Sequence, residues 1–74
     1  MNIVGKRVKK ARSLFKPKLT QTELAAKLQL LGWEINRSGV AKIEMGIRHI
    51  CDFELLMLAE ALRVKVQWLL GDDK

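Results

Sequence analysis

An all-α fold of five short helices is what this sequence predicts, and three observations carry it. Apolar residues recur at three- and four-residue spacing in the longer segments, and no run alternates as a half-buried strand would. Thr20 stands three residues before Glu23, the pattern of a capping box at a helix start. Gly32, Gly46, Gly71 and Pro17 fall between the apolar stripes, where helices should stop.

The first stripe is Val4, Val8, Ala11 and Phe15, flanked by Ile3 and Leu14, with Asn2 as a candidate cap and Pro17 as the stop. Its other face carries Lys6, Arg7, Lys9 and Lys10. Such a helix can lie on an anionic membrane, but a stripe of this width more often faces a core. The second helix opens at Thr20 and turns Leu24, Ala25 and Leu28 inward. Residues 29–35 are expected to connect it to the third, with Gly32 as its stop. Asn36 should cap the third helix, whose Val40 and Ile43 face inward and which ends at Gly46. Cys51-Asp52-Phe53-Glu54 opens a fourth helix, with a half-buried thiol where a hydroxyl would cap better. Leu55, Leu58, Ala59 and Leu62 form its inner face. A short fifth helix runs from about Lys65 to Leu70 and ends at Gly71.

Composition narrows the function. With 74 residues, 49% of them hydrophobic, the chain has room for one small core and is not disordered by composition. A single cysteine allows no intramolecular disulfide and no zinc cluster, which suits a reducing, cytoplasmic setting. No signal peptide or membrane-length apolar run is visible. Residues 1–50 hold eleven Lys/Arg against three Asp/Glu, a net +8, and residues 51–74 hold three against five, a net −2. A basic front on a faintly acidic back suits a polyanion on one side only. The sequence has no glycine-rich phosphate loop, nucleophile motif or metal cluster, so no enzyme, cofactor or metal is expected. Two helices set across each other in a basic chain suggest a device that reads DNA.

The segments Leu19-Thr20-Gln21-Thr22-Glu23-Leu24-Ala25 and Arg37-Ser38-Gly39-Val40-Ala41-Lys42-Ile43-Glu44-Met45-Gly46 resemble the Cro and phage-repressor family of helix-turn-helix proteins. Leu58-Ala59-Glu60-Ala61-Leu62 and Val66-Gln67-Trp68-Leu69-Leu70 are similar too, so the likeness covers nearly the whole chain. It implies a single lambda-repressor-like domain over residues 1–74, with the helix-turn-helix at about 20–46 and the third helix in the major groove of double-stranded DNA. Carried over by position, Arg37, Ser38 and Lys42 would read bases and Gly39 would allow close approach to the groove wall. Gln21, Arg48, Lys18 and basic residues of the first helix would contact phosphates. Arg12 and Glu44 match a structural ion pair. The likeness also implies a cytoplasmic transcriptional regulator acting as a homodimer, for which repression is the favoured outcome and activation stays open. The path from Leu28 to Val40 departs from the pattern, being roughly five residues longer than a short turn of this kind.

Several residues admit two readings. Trp33 can stack on a base, but a place over the core edge suits it better. Trp68 with Leu69 and Leu70 either seals the core or forms a dimer or partner patch at a twofold axis. His49 is a lone loop histidine without companion metal ligands. Cys51 is read as a cap rather than a redox switch. Asp72 and Asp73 are expected to be solvated. The alternative to DNA reading is a protein-interaction module, antitoxin-like or an adaptor, centred on Trp68.

Overall fold

The computed structural model describes residues 3–72. Its helices are α1 (Ile3–Ser13), α2 (Gln21–Leu30), α3 (Arg37–Glu44), α4 (Asp52–Leu62) and α5 (Val66–Leu69). No strand occurs among the described residues, and no helix there is long and apolar enough to cross a membrane. The expected Asn2 cap and the Asp73 tail lie outside the described residues.

Two helix starts follow directly from side-chain chemistry. The Thr20 hydroxyl accepts from the Glu23 amide at 3.0 Å, and the Thr20 amide donates to the Glu23 carboxylate at 2.8 Å. Asn36 accepts from the Gly39 amide at 3.0 Å and so opens α3. At α4 the Cys51 amide donates to Glu54 at 3.2 Å, while sulfur, a weak acceptor, takes the hydroxyl's place. Cys51 is exposed, not half-buried as expected, because it precedes the first turn of α4 on the solvent side.

The Glu23 carboxyl is held below the usual glutamate range, first by the Thr20 backbone N–H, then by the Thr20 side chain and by Lys27. Its folded pKa is depressed, so its contribution to stability is present above the ordinary glutamate value and fades as pH falls through the folded one. In acid titrations followed by circular dichroism, Glu23→Gln should therefore flatten the stability profile below the ordinary value. An unchanged profile would show that the carboxylate contributes nothing.

Four helix ends share one device. After α2, the Trp33 and Gly32 amides donate to Leu28 and Gln29 carbonyls at 3.0 and 3.0 Å. This pair of hydrogen bonds satisfies orphan carbonyls and needs a left-handed residue between. Gly32, Gly46 and Gly71 supply it after α2, α3 and α5. After α4 the left-handed residue is Arg63, at φ 58. The motif also draws Trp33 under Leu28, so the tryptophan is buried and stiffens the connector.

Two boundaries differ from expectation. α1 ends at Ser13, well before Pro17, because the Arg12 carbonyl is taken by the Leu19 amide at 3.1 Å and the chain turns toward α2. α2 continues through Leu30, so the connector is residues 31–36 and Gln29 is helical. The Gln29 side-chain Nε2 then donates to the Ile35 carbonyl at 2.7 Å, tying the connector back to α2.

The core forms where the stripes meet. Val8, Leu24, Leu28, Val40, Ile43 and Leu58 are enclosed, with α2 packed on α3 and α4 and α1 packed on α3, α4 and α5. Leu69 is also fully enclosed, which corrects its reading as part of a dimer or partner patch. The turn of α5 points Leu69 inward beneath α1 and α4 and leaves Leu70 exposed instead.

Candidate nucleic-acid interface

Helical phase divides α3 into two faces. Gly39, Val40 and Ile43 are buried, so the opposite side presents Arg37, Ser38, Ala41 and Lys42 to solvent, with Met45 continuing the row. Arg37, Ser38 and Lys42 are all exposed. Ala41 was expected on this outward face from helical phase; Met45, 61% exposed, belongs to the same surface and was not placed there. Its signal was the helical period alone.

An open cleft of about 380 Å³ brings the starts of α2 and α3 together. Lys18, Thr20, Gln21, Thr22 and Arg37 line it with Arg12, and none of them is a carboxylate. Three of the expected contact residues, Lys18, Gln21 and Arg37, thus share one surface. Thr22 is a further exposed hydroxyl there, beside the first-turn amides of α2, where an anion is favoured. Sequence reasoning passed over it because it reads as a mere filler of the capping box.

A buried polar network fixes the angle between these helices. Arg12 donates to Glu44 through Nε at 2.6 Å and Nη2 at 2.9 Å, and through Nη1 to the Leu19 carbonyl at 2.9 Å. The two side chains are only 7% and 5% exposed. Gln21 adds a donation from its amide to Glu44 at 3.0 Å. One carboxylate on α3 therefore holds α1 and α2 at once. Gln21, expected at a phosphate, gives one of its two Nε2 hydrogens to this network, and its placement fixes α2 against α3.

Gly39 is not on the reading surface. It is buried, and a Cβ there would lie 2.5 Å from Ile35 Cγ1. The missing side chain makes room for the connector's isoleucine, which corrects its reading as a groove-wall contact. Arg48 does not line the cleft. It stacks 5.4 Å from the Trp33 ring centroid and pairs with Glu54 at 3.3 Å, with its side chain 37% exposed. His49 is exposed in the same loop.

On the far side of α1, the Arg7 guanidinium lies 4.8 Å from the Trp68 ring centroid. Trp68 is half-buried, packed on the core by one edge.

A helix-turn-helix family model matches residues 8–69. Comparison with curated proteins and with solved structures gives no match. The family match runs from the middle of α1 to the last residue of α5 and spans the paired α2 and α3, so the chain belongs to the XRE-type helix-turn-helix family of DNA-binding regulators.

Proposed function

We propose that the chain binds specific sites in double-stranded DNA by laying α3 in the major groove. Arg37 and Ser38 in its first turn, and Lys42 one turn on, meet base edges. Arg pairs with guanine through two bonds, and Ser can donate or accept at several edges. Lys18 and the first-turn amides of α2 hold a phosphate, with Thr22 beside them. Lys9, on the Arg12 side of α1, and the exposed part of Arg48 extend the phosphate contacts. The observation that carries this reading is the carboxylate-free cleft at which Lys18, Gln21 and Arg37 converge. Glu44, the acid nearest to it in the hydrogen-bond network, is neutralised by Arg12.

We further propose that the protein works as a homodimer and represses by occluding its operator. Two recognition helices about 34 Å apart would then match an inverted repeat. Arg37→Ala should lose about 1–3 kcal/mol at the preferred site and relax selectivity at one base position. Fluorescence anisotropy on matched and point-substituted duplexes measures both effects. If Arg37→Ala discriminates among those duplexes as the parent does, the reading head lies elsewhere.

A further inference from the structure

The side of the molecule turned away from this interface carries a groove that DNA reading does not use. It consists of two adjoining hollows of about 480 and 400 Å³ between the end of α1 and the turn from α4 to α5. Leu14, Arg63 and Val64 line both, which makes them one continuous surface. The floor is apolar: Phe15 and Leu62 at one end, Trp68 at the other, Val64 between, and Leu14 standing 62% exposed. The rim is cationic, with Lys10 and Lys65 on one hollow, Lys16 on the other and Arg63 on both. No carboxylate lines either hollow.

Lys10 is two residues from Arg12, about 200° around α1, and Leu14 stands in the turn just past the helix end. Arg12 faces α3 through Glu44, so the groove opens on the opposite side of the helix. Arg63 adds a second observation. It is the one left-handed helix end among those described that is closed without glycine, at φ 58. Glycine would adopt that conformation without the steric cost that a side chain carries in the left-handed region. The arginine that stands there instead lines both hollows.

We propose that this groove docks an acidic, amphipathic segment of a partner protein. A bulky apolar side chain of the partner would seat among Leu14, Val64 and Trp68, and flanking carboxylates would meet Lys10, Lys16, Arg63 and Lys65. Charge complementarity selects that occupant. A DNA backbone would meet the cations but would leave the apolar floor unfilled. A second copy is a poorer match, since it carries a net charge of +6 and its Glu54 is already paired with Arg48. The regulator would in this way present DNA on one face and a partner on the other.

The test is a titration of the isotope-labelled full chain, without DNA, by a short synthetic helical peptide with Leu and Trp on one face and Glu elsewhere. Saturable resonance shifts confined to Leu14, Val64 and the Trp68 indole are expected. The same peptide with Lys in place of Glu should not bind. A Lys10→Glu/Arg63→Glu variant should weaken binding by about tenfold or more, as reversal of two exposed charges would. Leu14→Asp, at an exposed position, gives the same loss where the double variant folds poorly. Adding duplex DNA should leave the groove shifts in place. Absence of shifts, shifts elsewhere, or equal binding of the Lys peptide would overturn the proposal. So would displacement by DNA, self-association that consumes the groove, or binding of phosphatidylserine vesicles but not of the peptide.

Discussion

Glu44→Ala should destabilise the fold by about 3–5 kcal/mol, the range for breaking a buried ion pair by removing one partner. The reason is what it leaves behind. Arg12 is 6% exposed and would keep only the Leu19 carbonyl, at 2.9 Å, as an acceptor. Gln21 would also lose its acceptor at 3.0 Å. A joint Arg12→Met/Glu44→Leu replacement should recover most of the loss, because desolvation of both charges offsets much of their attraction. Urea unfolding of the three proteins measures this. A loss below about 1 kcal/mol for Glu44→Ala would mean that the pair behaves like an exposed one.

Leu69→Ala should cost about 2–5 kcal/mol, as truncation of a fully buried leucine does. The effect is large relative to the element because α5 is only the span Val66–Leu69, and too short a helix to persist without tertiary packing. Leu70→Ala, on the exposed side, should change stability little. Thermal melts at two protein concentrations distinguish the readings. A concentration-independent loss marks Leu69 as monomer core. A small loss accompanied by weaker self-association would restore it to an interface.

Local signals were the legible ones. The Thr20–Glu23 box, the Asn36 cap and the glycines after α2, α3 and α5 each act through neighbours a few residues away, so the sequence displays them. The pairing of Arg12 with Glu44 joins distant elements, and spacing alone did not reveal it; the family likeness did. Helix ends were less legible. α1 stops early because Leu19 takes the Arg12 carbonyl, and α2 runs on because its closing motif draws Trp33 inward. Gly39 looked like a surface glycine because its neighbour in space, Ile35, lies across the α3 cap. Leu69 and Trp68 are adjacent in an apolar run, and only the direction of a four-residue helix separates the core residue from the half-buried one. Arg63 adopts a left-handed conformation with no glycine to announce it. The groove it edges joins the end of α1 to the α4–α5 turn, and no sequence pattern spans that distance.

The reading of DNA by α3 is tested most directly by selecting bound sequences from a random duplex pool at about 50 and 200 mM salt, a range over which phosphate contacts weaken strongly. An enriched inverted repeat, with half-sites about one helical turn apart and affinity falling steeply with salt, is the predicted result. Binding without enrichment, or affinity that does not respond to salt, would contradict it.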